Sequence, residues 1–249
     1  NHFFVKILLM AFLFIFLFLF IILFFVSRKL FKNLFLILIK IINKEKAIHL
    51  LSWLFLPGTI IHELSHMLIA EVLRVKTGQF NFTPQITSEE KRIRVGSLQV
   101  AKTDPIRRTL IGLAPAIVGL VIIFYLTNSL LFPLTSQLTI KQFSNSAINQ
   151  FLLLAVYCYS LFIISNTMFS SKKDLEAALF PLILFFLLTA SLWMGNFHIS
   201  LSQKAFNKLV LFFKTLNKGL SLAILTDLFM LVILSLSQIL IKQRNHNQN

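Results

Sequence analysis

Long runs of apolar residues, separated by short polar segments, make up most of the chain. The runs are continuous rather than alternating, which favours helices over strands. About 20 apolar residues in a helix cross a hydrocarbon core of about 30 Å, where only helices or closed barrels satisfy the backbone amides. The sequence therefore predicts an all-α polytopic membrane protein with five or six transmembrane helices. The predicted spans are about 7–26, 47–73, 106–131, 148–169, 175–195 and 220–241.

Three features interrupt this pattern. Residues 30–43 are apolar but short and contain lysines, so they predict an interfacial helix or a poor span. Residues 202–216 repeat lysines between apolar positions and predict another interfacial helix. Pro57-Gly58 lies inside the second long run, and because proline removes a backbone donor, we expect a break or a kink there.

Residues 74–104 form the one substantial polar segment between the predicted spans. Alternation around Phe80 and Phe82, and again over 92–100, predicts a small cytoplasmic β-hairpin after the second span. Asp104-Pro105 predicts the start of the next helix, with aspartate as N-cap and proline at the first helical position.

Composition supports a membrane protein and limits the partners. Hydrophobic residues are 57% of the chain, charged residues are 13%, and the mean hydropathy is +0.81. The formal net charge of +15 comes from lysine and arginine beside apolar runs, as in loops that obey the positive-inside rule. Because no nucleic-acid-binding motif accompanies this charge, we expect a lipid bilayer and no nucleic acid as partner. The single cysteine, Cys158, excludes an intramolecular disulfide and a cysteine zinc cluster.

The distribution of basic residues predicts the orientation. Residues 74–108 contain eight lysines and arginines, whereas 132–147 contain only Lys141, so 74–108 and 170–174 should be cytoplasmic. Residues 28–46 contain six more, and a single crossing by 47–73 would place them outside. A short extra crossing at 30–46 or a re-entrant 47–73 would remove this conflict. We expect a multi-pass protein of the cell membrane, namely the bacterial plasma membrane.

The segment His62-Glu63-Leu64-Ser65-His66 carries the candidate chemistry. Histidines four residues apart share one face of a helix and can bind one Zn²⁺ while leaving a coordination position open for water. Glu63 lies beside them and is the candidate general base. Ionisable residues in an apolar segment are costly and mark functional sites, although these three could instead join neighbouring helices by hydrogen bonds.

Two histidines need a third ligand. The position at which metzincins place a third histidine holds Val72. Asp174, at the predicted cytoplasmic end of a span, is the best-placed acid, although it could instead cap the helix that follows. The other candidates are isolated, poorly placed on the helix, in the predicted turn, or explained as a cap or a lone polar residue: His49, His198, Glu71, Glu89, Glu90, Asp104 and Asp227.

The chain resembles the site-2 protease family of intramembrane zinc metalloproteases, over about residues 50–180. The His-Glu motif is followed by Gly112-Leu113-Ala114-Pro115-Ala116, which is similar to the family's Gly-Pro stretch. Asn166 and Asp174 are eight residues apart, as are the asparagine and the zinc-binding aspartate of the family's third motif. The resemblance implies that Asp174 is the third zinc ligand, that Asn166 orients the substrate, and that Gly112 and Pro115 shape the site.

The third motif departs from the family pattern. The family usually has prolines between the asparagine and the aspartate and a glycine after the aspartate, where this chain has Phe169, Lys172 and Leu175. Asn166 could therefore make a helix–helix hydrogen bond instead, and Gly112 and Pro115 could serve only close packing or a kink.

We expect one membrane-embedded domain over 1–249, with an anchor region at 1–49, a core at about 50–180 and C-terminal helices at 181–249. The expected function is zinc-dependent hydrolysis of peptide bonds in membrane proteins, within or beside the bilayer. His62, His66 and Asp174 would bind Zn²⁺, and Glu63 would be catalytic. The hairpin would pair with unwound substrate as an added strand. Two alternatives remain open: a membrane zincin of another family with a glutamate as third ligand, and a non-proteolytic metal-binding scaffold or transport protein.

Overall fold

Five helices and four short strands form the part of the chain that the computed structural model describes, namely residues 2–81, 85–87, 92–94, 97–101, 103–135, 147–169, 187, 191 and 202–246. The helices are α1 (His2–Ile41), α2 (Lys44–Val72), α3 (Pro105–Thr135), α4 (Ala147–Thr167) and α5 (Gln203–His246). The strands are β1 (Thr77–Asn81), β2 (Gln85–Thr87), β3 (Arg92–Arg94) and β4 (Ser97–Val100).

Four of the described helices are long and apolar enough to cross a membrane: α1, α2, α3 and α5. In α4 a shorter apolar stretch covers Phe151–Thr167. The prediction of a mostly helical, multi-pass membrane protein therefore agrees with the fold. The predicted span at 175–195 lies outside the described residues, apart from helical positions 187 and 191.

The helices continue through the three segments in which interruptions are predicted. Helix α1 includes 30–41, and α5 includes both 203–216 and 220–241. Lysine favours helix almost as well as alanine, so basic residues in an apolar run do not end the helix. Helix α2 does not break at Pro57. Membrane helices tolerate proline, since hydroxyl side chains and neighbouring helices can satisfy the released carbonyl.

The α1–α2 connection shows at which end of the bundle the basic residues of 28–46 lie. Asn43 caps α2 by accepting a hydrogen bond from the Lys46 amide at 3.2 Å. The two helices form a tight antiparallel hairpin, in which Phe31 packs on Phe55. Neither an extra crossing at 30–46 nor a re-entrant 47–73 is present. The basic residues around this turn therefore lie at the opposite end of the bundle from the polar segment that follows α2.

The polar segment after α2 contains two separate antiparallel strand pairs, β1 with β4 and β2 with β3. The register of the β1–β4 pair shifts between Thr77 and Phe80. The prediction of one small hairpin over this segment is therefore wrong. Alternation predicts strands, but register is weakly specified in strands that are polar on both faces, so one continuous ladder does not follow from the pattern.

The predicted start of α3 is confirmed. Its first residue is Pro105, and the Asp104 carboxylate accepts a hydrogen bond from the Arg107 amide at 3.0 Å. This bond, assisted by the nearby Arg107 guanidinium at 3.2 Å, holds the pKa of Asp104 below its ordinary value. The cap lies at the same end of the bundle as the strands.

Two apolar clusters hold the helices together. One contains Leu23, Ile123, Leu161 and Leu220, from four different helices, and all four are fully buried. The other joins the C-terminal half of α1 and the N-terminal half of α2 to α4 and α5. Large apolar side chains such as Phe18, Phe151 and Phe229 point outwards, as expected for a surface that faces lipid.

Candidate metal centre

Helix α2 brings His62 and His66 together on its buried face. The two Nε2 atoms lie 3.3 Å apart, and the rings meet edge to face with centroids 4.8 Å apart. The side chains are 4% and 9% exposed. The spacing of four residues thus gives the shared face that the sequence predicts, within the interior of the bundle.

The next helix holds one of these rings in place. His66 Nδ1 lies 2.8 Å from the carbonyl oxygen of Ile111 in α3. A carbonyl oxygen can only accept a hydrogen bond, so Nδ1 carries the proton. In a neutral ring the Nε2 atom then carries the lone pair, and it lies 3.3 Å from His62 Nε2. A backbone carbonyl on the far nitrogen is the usual partner of a histidine that binds metal.

The separation of the two nitrogens fits zinc. Two imidazole nitrogens at about 2.0–2.1 Å from a tetrahedral zinc ion lie roughly 3.3 Å from each other. The observed separation of the two Nε2 atoms is 3.3 Å, which matches this value. The same distance also accommodates a direct hydrogen bond from His62 Nε2 to His66 Nε2 when no metal is bound.

Glu63 is buried next to the pair. Its side chain is only 8% exposed, in a stretch of α2 that is otherwise apolar apart from Ser65, His62 and His66. The Ser65 hydroxyl donates back to the Ile61 carbonyl at 2.6 Å and so has its own partner. Glu63 follows His62 directly in the same buried stretch, and a buried carboxylate in that position is the candidate to exchange protons with a group held by the histidines.

The described residues do not supply a third ligand. No group of three histidines, cysteines or acids that could hold a metal occurs among them. His49 and Glu71 are exposed on α2, and Asp104 caps α3. Asp174, the predicted third ligand, lies outside the described residues, as do His198, Glu89 and Glu90.

The end of α4 packs beside this centre. A Cβ atom added to Gly58, one turn before His62, would lie 2.5 Å from Ile163 Cγ2 and 2.6 Å from Thr167 Oγ1. Tyr159 donates to the Leu54 carbonyl at 3.0 Å. Later residues of α4 thus contact later residues of α2, which means that the two helices run parallel. The glycine therefore lets the last turn of α4 pack closely against α2, one turn before His62.

Asn166, in that last turn, is fixed by a helix–helix hydrogen bond. Its amide nitrogen donates to Asp227 Oδ1 in α5 at 2.9 Å and to the Phe162 carbonyl at 2.8 Å. The Ser165 hydroxyl lies 3.5 Å from Asp227 Oδ2. Asp227 is fully buried. Its carboxyl is thus a junction between α4 and α5, although the sequence marks it only as a lone polar residue.

Sequence reasoning missed two parts of this site. An acid inside the apolar run of α5 was a usable signal for Asp227, since intramembrane carboxyls rarely lack a partner. The Ile111 carbonyl is a backbone atom, and its residue type gives no signal.

Comparison with known proteins adds no assignment. No family model, no curated protein and no solved structure matches the chain.

Proposed function

We propose that the protein is a zinc-dependent metalloendopeptidase of the cell membrane, which hydrolyses peptide bonds of membrane proteins within or beside the bilayer. His62 and His66 would bind the metal, and Glu63 would be the general base. Asp174 would be the third ligand and Asn166 would orient the substrate, as the resemblance to site-2 proteases implies.

One observation carries this proposal: the arrangement of the two imidazoles. Their Nε2 atoms are 3.3 Å apart, and the His66 ring is anchored through Nδ1 to Ile111. Both rings are buried on a membrane-spanning helix. An anchored tautomer and a separation that suits a tetrahedral ion are what a zinc site needs from its ligands.

The chain's own groups suit hydrolysis. A bound zinc ion supplies Lewis acidity towards water and a peptide carbonyl. Glu63 would take the proton of the attacking water on its carboxylate and deliver it to the leaving amine. The apolar surroundings exclude bulk water, which strengthens the electrostatic interactions of this carboxylate. His62 lies ten residues before the end of α2, about 15 Å along the helix axis from the side of the strands.

The depth of the centre supports this substrate class. Helix α2 is one of the four candidate spans. The histidines lie in its C-terminal half, before the polar segment begins. A soluble peptide would have to enter the bilayer to reach them. A membrane segment, once locally unwound, would present its amide at that depth.

A comparison of Glu63→Gln with wild type tests the proposal. Both proteins, purified in detergent and loaded with zinc, are incubated with peptides that contain a transmembrane segment. We expect cleavage by wild type, and a loss of about 10²- to 10⁴-fold in Glu63→Gln with full zinc content. His49→Ala, at an exposed position of the same helix, should cleave like wild type. Equal cleavage by Glu63→Gln would rule out Glu63 as the base.

The alternative of a non-proteolytic scaffold is favoured by one feature of the same pair. At 3.3 Å the two histidines can form a direct hydrogen bond, so a purely structural role also accounts for their arrangement. Zinc binding by wild type with no hydrolysis of any transmembrane peptide would favour a binding or transport role. A membrane zincin with a glutamate as third ligand would instead keep its activity in Asp174→Ala.

A further inference from the structure

The carbonyl of Ile111 lacks its regular partner within its own helix. In an α-helix the carbonyl of residue 111 accepts from the amide of residue 115. That residue is Pro115, which has no N–H. The proline ring also clashes with the carbonyl four residues before it, which turns that oxygen away from the helix axis. The oxygen that holds His66 is therefore the one that Pro115 releases.

The released oxygen lies in the interior and requires a donor. Ile111 is 5% exposed, and Pro115 is also buried. An unsatisfied carbonyl in an apolar interior is costly, and water is excluded there. His66 Nδ1–H supplies the donor at 2.8 Å. The proline thus creates, in α3, a strong acceptor opposite a histidine of α2.

We propose that Pro115 is a positioning residue of the metal centre: by freeing the Ile111 carbonyl, it fixes the His66 ring with its Nε2 lone pair towards His62. The inference rests on the metal site of the proposed function and does not depend on hydrolysis. It also gives a physical reason for a proline at this place in α3, beyond a kink or close packing. A regular residue at 115 would draw the carbonyl back into the helix and compete with His66.

Pro115→Ala tests this role through two properties that move in opposite directions. Zinc affinity of the detergent-purified protein, measured by competition with a chelator, should fall about tenfold, at the lower end of what loss of a ligand's outer partner produces. The thermal midpoint of the metal-free protein should be unchanged or higher, because alanine favours a helix interior over proline. A purely structural proline would give the reverse: lower stability and unchanged zinc affinity.

Pro57→Ala is the matched control. Pro57 also lies inside a membrane helix, at an exposed position of α2, and the carbonyl it releases belongs to the exposed Trp53. This variant should keep wild-type zinc affinity. A fall equal to that of Pro115→Ala would overturn the inference, because any change of proline in the bundle would then suffice.

A backbone variant isolates the N–H itself. Lactic acid at position 115, the α-hydroxy analogue of alanine, lacks both the ring and the N–H, so it should restore most of the zinc affinity that Pro115→Ala loses. If it binds zinc as weakly as Pro115→Ala, the ring and not the missing donor is responsible, and the inference is wrong.

The tautomer of His66 provides a readout that needs no metal. Nitrogen NMR of labelled histidine should show His66 protonated at Nδ1 in wild type and a mixture of tautomers in Pro115→Ala. The same tautomer mixture in both proteins would overturn the inference. Wild type that binds no zinc would end the proposed function, whereas wild type that binds zinc without hydrolysing peptides would end only the proteolytic part.

Discussion

Substitution of Gly58 by alanine tests whether α4 packs against α2 beside the histidines. The added Cβ would lie 2.5 Å from Ile163 Cγ2 and 2.7 Å from Thr167 Cγ2. Carbon atoms in ordinary contact are about 3.5–4.0 Å apart, so the helices must separate by about 1 Å. Isoleucine and threonine are branched at Cβ and have little rotamer freedom in a helix, so neither can turn away.

The expected loss of stability combines two opposed contributions. Overpacking of this kind costs about 1–3 kcal/mol. Alanine in place of glycine in a helix interior stabilises the helix by about 1 kcal/mol. A net loss of about 1 kcal/mol corresponds to a fall of about 2–4 °C in the thermal midpoint for a chain of this size. The midpoint can be followed by circular dichroism in detergent.

Gly119→Ala is the matched control for this prediction. There the nearest atom is Met168 Cβ at 3.1 Å, which is 0.6 Å farther than the nearest atom at Gly58, so a shift of a few tenths of an ångström suffices. The next atom, Met168 Sδ at 3.4 Å, belongs to the flexible part of that side chain and can move aside. This variant should keep or raise the midpoint. If Gly58→Ala is as stable as Gly119→Ala, the close approach of α4 to α2 at Gly58 is wrong.

Two further predictions concern polar groups on the described helices. Asp227→Leu removes the acceptor of the Asn166 amide and should cost about 1 kcal/mol, whereas Asp227→Asn keeps an acceptor oxygen and should stay near wild type in the same unfolding assay; equal stability of the two variants would contradict the α4–α5 bond. The lowered pKa of Asp104 means that its contribution is fully present above the ordinary aspartate pKa of 3.8 and is lost as the pH falls through the lower folded value. Asp104→Ala should therefore be less stable than wild type at pH 7, with a difference that shrinks at the acid end of a pH series; a constant difference would argue against the cap.

The spanning helices and the histidine pair could be predicted because each depends on one local pattern. Apolar runs of sufficient length specify helices in lipid, and a spacing of four residues places His62 and His66 on one face. The cap at Asp104 is equally local. These features are fixed before any long-range contact forms.

The predictions that failed required knowledge of what surrounds a residue. Lysines near 30–43 suggested an interfacial segment, yet α1 passes through them because charged side chains can extend from a helix without interrupting its hydrogen bonds. The alternation after α2 predicted one hairpin, but the segment contains two separate strand pairs. Asp227 acquires a role only through Asn166, which is 61 residues away in sequence.

The role of Pro115 shows a more general difficulty. A proline in a membrane helix indicates that the carbonyl four residues earlier loses its regular donor. The sequence does not indicate which side chain will face that carbonyl. The answer depends on the rotation of α2 against α3, which is set by packing along the whole length of both helices. The structure brings His66 to that carbonyl.

The most direct test of the central claim is the zinc content of the purified protein, measured by elemental analysis for wild type, His62→Ala, Asp174→Ala and the control His49→Ala. The account predicts one zinc ion per chain in wild type and in His49→Ala, and loss or clear weakening in the other two variants. Zinc unchanged by Asp174→Ala would remove that residue from the site, and no zinc in wild type after attempted reloading would contradict the account as a whole.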